Sequence, residues 1–345
     1  MHEIDRRAAL TTLVALPLMA RSVARAGGGV HASAMSTQHP APVPATPSAP
    51  APRTNRTLTP IARGGAVAAD HESASRAGVE VLRLGGNAVD AAVATSFALS
   101  VVRPYSCGIG GGGFMVIAMR EDPRRPGSGP VRVAINYRDM APAWATPDAF
   151  ANEQDADAPA RGGKSVLIPG TVAGLLHALE RYGTLDRAAV LAPAIRLAEE
   201  GFVVDAHYVQ SVREDVLPFF QRRPDSRERF PFLWSRFLRE GKVDVGDRVV
   251  LPEQARALRL IAPHGVDGFY RGPVAEAIVR AANRDGGPLT MADMASFKVV
   301  EQAPLVTTFE GRTVLGMPPP SSGGLAIAQA LGVFERVRAA RGAEL

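Results

Sequence analysis

Apolar and polar positions alternate in a readable order from about Arg63 onward. Between Asp70 and Leu84, the residues Ala74, Ala77, Val81 and Leu82 recur at helical spacing, and Gly85-Gly86 stops the run. Asn87 caps a second helix that runs to Val102, and Asp90, three residues on, favours its first turn. That helix is apolar nearly all round, which predicts burial between layers, and Pro104 ends it. Two strands follow, Phe114 to Met119 and Val131 to Tyr137, joined by a Pro- and Gly-rich turn over Asp122 to Gly129. Ala151 to Arg161 is a polar loop. Helical patterns return from Thr171 to Tyr182, Arg187 to Glu200, Asp205 to Val216, Glu253 to Pro263 and Pro273 to Arg284. Strand signals reappear at Leu305 to Phe309 and Thr313 to Leu315. Met317 to Gly324 is a Pro-Ser-Gly loop, and Leu325 to Arg338 a closing helix. The order fits an α+β fold with helices layered on antiparallel sheet.

One stretch breaks the pattern: Ser106-Cys107-Gly108-Ile109 followed by four glycines and then Phe114-Met115. Glycine is used where φ must be positive, or where another backbone or a ligand comes too close for a Cβ. A phosphate-binding loop would need Gly-Lys-Ser/Thr, and a dinucleotide fingerprint would follow a strand and open a helix. Here the loop follows a helix, opens a strand and has no lysine near it. The pattern predicts a loop that packs a strand start against neighbouring backbone.

The N-terminal segments read differently. Arg6-Arg7, the apolar run Ala8 to Ala20 and the small-x-small site Ala24-Arg25-Ala26 form an export signal over residues 1–26, with the paired arginines of the twin-arginine route. The apolar run is too short for a membrane anchor. Residues 27–62, rich in Ala and Pro, predict a disordered linker, and 63–345 the folded domain. The expected location is periplasmic or secreted. Net charge is only +5 over 345 residues and is scattered, which argues against a nucleic-acid surface. A single cysteine excludes an internal disulfide framework and a cysteine-based zinc cluster.

Little recognisable chemistry stands out. His71, His177, His207 and His264 are isolated and lack metal-ligand spacing, and no Gly-x-Ser-x-Gly elbow is present. Cys107 is either a small residue in a tight corner or a thiol made acidic by nearby N–H groups. Arg138, at the end of a buried strand and followed by Asp139, is either half of a structural ion pair or a planar fork offered to a substrate carboxylate.

Five segments together carry a resemblance. They are Gly85-Gly86-Asn87-Ala88-Val89-Asp90-Ala91-Ala92, Gly108-Ile109-Gly110 through Phe114-Met115, Arg138-Asp139-Met140-Ala141-Pro142, Pro169-Gly170-Thr171-Val172-Ala173-Gly174, and Met317-Pro318-Pro319-Pro320-Ser321-Ser322-Gly323-Gly324. In this order, from about Gly64 to Arg338, they resemble the large subunit of gamma-glutamyltransferases (glutathione hydrolases). The resemblance implies a four-layer αββα sandwich of the N-terminal-nucleophile hydrolase type, here without its small-subunit part. It implies an exported precursor that cuts itself into two subunits, and acyl transfer of a γ-glutamyl group from glutathione or another γ-glutamyl amide to water or an amino-acid or peptide acceptor. A threonine hydroxyl is the nucleophile and its own α-amine the base. No cofactor or metal is implied. Arg138 matches the arginine that binds the substrate α-carboxylate.

The family's threonine begins the small subunit in a Thr-Thr-His-like motif, and neither Thr11-Thr12 nor Thr307-Thr308 matches it. The expectation is therefore that no catalytic residue lies in this chain, and that a small subunit carrying the threonine is its partner. Two other readings stay open. One is a non-catalytic binder of γ-glutamyl compounds. The other is the large-subunit part of a related acylase acting on β-lactams or poly-γ-glutamate.

Overall fold

The computed structural model describes residues 64–342, and the export signal and the linker read from the sequence lie outside them. Helix α1 (Glu72–Arg83) is capped by His71, whose side chain accepts from the Ser73 N–H. Helix α2 (Ala88–Val102) is capped by Asn87 in a full capping box with Asp90. It lies against α1, against α3 (Thr171–Tyr182) and against α4 (Arg187–Glu200), which is why a helix apolar all round is stable there.

Strands β1 (Phe114–Met119) and β2 (Val131–Asn136) pair antiparallel, with Phe114 opposite Asn136 and Met119 opposite Val131. A short pair, β3 (Phe202–Val203) and β4 (Arg248–Val249), brackets helix α5 (Ala206–Ser211) and a π-turn over Val212–Val216. The sequence pattern reads that stretch as one helix; the structure divides it where the hydrogen bonding widens. Helices α6 (Pro252–His264) and α7 (Gly272–Arg284) follow. Then β5 (Val300–Gln302) adds to the free edge of β2, giving a three-stranded sheet ordered β1-β2-β5. A separate hairpin, β6 (Leu305–Phe309) and β7 (Arg312–Gly316), leads into α8 (Gly323–Arg341). The architecture is mixed helix and antiparallel sheet, of the α+β class.

The core sits on the helical side. Val133 and Ile135 of β2 are buried there with Leu175, Leu176 and Leu179 of α3 and Phe97 of α2. Beyond that core the chain is unusually apolar at its surface. Val306 is 57% exposed, and Leu325, Ile327, Val333 and Phe334 line α8 with roughly half of each side chain open to solvent. So many exposed large apolar side chains on one helix and its neighbouring strand are the kind of surface that a partner covers. No helix among the described residues is long and apolar enough to cross a membrane.

Two polar devices hold the helical side together. Arg103, only 2% exposed, bonds Asp70 at 2.8 Å and Asp205 at 2.6 Å, and Asp205 in turn caps α5 through the Tyr208 N–H. The polar loop at residues 151–161 is fixed by Arg223, which reaches Asp155 at 2.8 Å and Asp157 at 3.1 Å. The Arg223 hydrogen bonds, more than any other influence, hold the Asp155 carboxyl down to about 2. A depressed carboxylate adds stability above its unfolded value, about 3.9, and that contribution is lost as pH falls through the folded value. An NMR titration is expected to place the Asp155 midpoint near 2 in the native chain. In Arg223→Ala the midpoint is expected to return toward about 4. An unchanged midpoint would remove Arg223 as the cause.

Candidate functional site

The end of β2 is where the sequence motifs meet. Tyr137 continues the pairing beyond the strand: its N–H donates to the Gly113 carbonyl at 3.0 Å, and Gly113 donates back at 3.2 Å. The Gly111 carbonyl accepts from both the Gly170 N–H, at 2.8 Å, and the Thr171 N–H, at 2.9 Å. The glycine loop therefore ties the start of α3 to the end of β2. Met140 and Ile168 exchange backbone hydrogen bonds at 3.1 and 2.8 Å and close the far side of the Arg138 segment.

Close approach explains the glycines. None of Gly110 to Gly113 has a positive φ. A Cβ on Gly112 would collide with the backbone of Asp139, and one on Gly170 with the carbonyl oxygen of Tyr137. Residues at the head of β1 and the head of α3 thus press on the three-residue stretch that carries Arg138. Tyr137 itself is buried, its hydroxyl 3.3 Å from the Phe114 carbonyl, and burial pushes that phenol up to about 12. Tyr270 adds a brace from a distant element: its hydroxyl donates to the Pro169 carbonyl at 2.6 Å and accepts from the Ala173 N–H at 3.3 Å.

On this clamped backbone Arg138 is exposed. Its N–H donates to Asn136 Oδ1 at 3.0 Å. Its guanidinium forms no hydrogen bond or ion pair among the described residues, and the pair with Asp139 that the sequence left open is not formed. A fixed backbone carrying an unpaired planar cation can receive a carboxylate through two parallel N–H···O bonds.

The other motifs lie apart from it. Asp90 is fully buried and accepts from the N–H groups of Asn87 (2.8 Å), Thr184 (3.0 Å) and Leu185 (3.1 Å), and from the Thr184 hydroxyl (2.7 Å). Asn87 Nδ2 donates to the Tyr182 carbonyl at 2.7 Å. The Gly-Gly-Asn-Ala-Val-Asp motif is therefore a bolt between the start of α2 and the α3–α4 connection. The Met317 to Gly324 loop folds back so that Gly324 lies on the backbone of Met317, and it reaches β5 through Gln302, whose amide donates to the Pro319 carbonyl at 3.4 Å.

Three of the four histidines of the folded part have protein partners. His71 caps α1, His177 meets Glu301 at 2.8 Å and His207 meets Tyr105 at 2.7 Å. Among the described residues no three His, Cys, Asp or Glu side chains gather as a metal site. Sequence reasoning missed Tyr270, for which no local signal exists, and the hydroxyl of Thr171, which stands inside a motif but was valued only as a helix start.

Comparison with known proteins gives a consistent picture. A family described as "Gamma-glutamyltranspeptidase" matches residues 74–344. The glutathione hydrolase proenzyme of Escherichia coli is 39% identical over 281 residues, which is 79% of this chain and 45% of that protein. The chain spans about half the length, or less, of the curated relatives it matches. Among solved structures, the gamma-glutamyltranspeptidase of Helicobacter pylori superposes with a TM-score of 0.70 at 36% identity, covering 80% of this chain and 76% of that one. A cephalosporin acylase from Bacillus halodurans superposes at 0.62 and 29% identity, over 72% of this chain and 45% of that one.

Proposed function

This chain belongs to the gamma-glutamyltranspeptidase family, and from that premise we propose that it forms the large-subunit portion of an exported enzyme acting on γ-glutamyl amides. A small subunit supplies the threonine. Its hydroxyl attacks the γ-carbonyl, its α-amine takes the proton, and the amine half of the amide leaves. Water or an amino-acid or peptide acceptor then takes the γ-glutamyl group from the acyl-enzyme. Glutathione fits as donor, with cysteinylglycine as the leaving half.

In this reading the present chain binds and orients. Arg138 holds the substrate α-carboxylate at a fixed distance from the scissile bond, which is the positioning contribution to rate. The observation that carries the proposal is the unpaired Arg138 guanidinium on a backbone clamped by Gly112 and Gly170. A free α-carboxylate is the feature that such a fork selects. That favours γ-glutamyl donors over the bulky acyl groups of the acylase reading.

The fold proposal follows from the same premise. The helices packed on the buried face of β2, α3 among them, form one outer layer, and the apolar side chains exposed on β6 and α8 are the surface that the small subunit covers to complete a four-layer αββα sandwich.

The test is to purify the protein from its native cells by antibody and take intact masses of everything retained. A second polypeptide that begins with threonine is the expected result. A lone, soluble, folded chain would overturn the catalytic reading in favour of a binder of γ-glutamyl compounds.

A further inference from the structure

Beside the Arg138 segment lies a cavity of about 180 Å³, among whose lining residues are Ser96, Leu99, Cys107, Gly108, Gly112 and Thr171. Cys107 is the single cysteine of the chain, half-buried, with its sulfur 3.4 Å from the Ser106 hydroxyl. Two further observations point to something that belongs in this space.

The first is Thr171. It is only 9% exposed, yet its hydroxyl makes no hydrogen bond among the described residues. No fully enclosed side-chain oxygen or nitrogen of the described residues lacks a partner, so this hydroxyl opens onto the cavity that Thr171 lines. A hydroxyl that opens onto the cavity and bonds no protein group is free to donate to whatever enters it. The second is the loop backbone. The Gly111 and Gly113 N–H groups are taken up by Gly108 and Tyr137, whereas those of Gly108 and Gly112 have no acceptor among the described residues. The cavity thus combines a thiol with a hydroxyl and two glycines whose N–H groups are free.

We propose that Cys107 is a thiol-modification site, which exchanges with a low-molecular-weight disulfide bearing a carboxylate and holds the resulting mixed disulfide in this cavity. Deprotonated Cys107 Sγ attacks one sulfur of the reagent. The Sγ–S bond forms, the reagent S–S bond breaks, and the other half leaves as a thiolate that takes up a proton from solvent. Cys107 is oxidised and the departing half is reduced. The carboxylate of the retained half is received by the Thr171 hydroxyl and the free N–H groups. Because Gly112 also packs on Asp139, the adduct sits against the backbone that carries Arg138. The proposal does not depend on the enzymatic reading of Arg138.

The experiment uses the full chain and follows adduct formation by intact mass. Since there is one cysteine, every adduct reports Cys107. Oxidised glutathione, which carries carboxylates, is compared with cystamine, which carries none, on the folded chain and on the chain unfolded in denaturant. The glutathione-to-cystamine rate ratio is expected to be about tenfold higher in the folded chain, the worth of one hydrogen bond to a charged group. Thr171→Val should bring the ratio down toward the unfolded value, and Thr171→Ser should keep it high. Equal ratios in folded and unfolded chains, or no adduct on the folded chain, would overturn the proposal. If Thr171→Val does not fold, the comparison in the unaltered chain decides the matter alone.

Discussion

Replacing Arg138 by alanine in the assembled two-subunit protein is expected to lower kcat/KM for a γ-glutamyl anilide by roughly thirty- to a thousand-fold. The figure follows from truncating one partner of a substrate ion pair, which costs about 2–4 kcal/mol when the other charge is left without its mate. The loss should appear mainly in KM, because the α-carboxylate is distant from the bond that breaks and the contact is made equally in ground and transition states. Some loss of kcat is expected as well, since a substrate held at one end only samples more misaligned poses. Arg138→Lys should fall between, keeping the charge but losing the planar fork. The fold should be unaffected, because the guanidinium is exposed and bonds nothing among the described residues. An Arg138→Ala enzyme with unchanged kcat/KM would remove the residue from substrate binding.

Asp90→Ala is expected to do the opposite: to cost stability and leave Arg138 chemistry intact in whatever protein remains folded. The carboxylate is fully buried and serves the N–H groups of Asn87, Thr184 and Leu185 and the Thr184 hydroxyl. Removing it leaves those donors enclosed without an acceptor, at about 1–3 kcal/mol for each one that water does not reach. A total of about 3–5 kcal/mol is expected, placing it among the most damaging single substitutions. Thermal unfolding should show a fall in Tm of roughly 6–20 °C for a domain of this size. Asp90→Asn keeps one acceptor oxygen and should lose about half as much. A Tm within about 2 °C of the parent would mean that the Thr184 turn finds other partners.

The contrast between these two residues shows how differently the motifs could be read. Asn87 and Asp90 were legible as a helix start because capping is local: donor and acceptor stand within one turn of each other. That Asp90 also bolts the Thr184 turn, more than ninety positions away, was not legible, because nothing near either residue encodes the approach of the other. Similarly, β1 and β2 follow from their apolar runs and the intervening turn. The three-residue β5 carries too little pattern to be seen, and exists because β2 offers it a free edge.

The chief helices and strands, their stops and caps and the family motifs are all legible in the order of residues, because they rest on near-neighbour chemistry or on ordered resemblance. The glycine loop was legible too as a place of close backbone approach, but which backbone it meets was left to the tertiary structure. Gly112 and Gly170 are small because the Arg138 segment passes where their side chains would stand, a fact about distant backbone that no local pattern can hold. It also decided that Arg138 has no partner in Asp139, and that Thr171 and Cys107 share one cavity. Those are outcomes of packing, in which each group's neighbours are set by how the whole chain closes on itself.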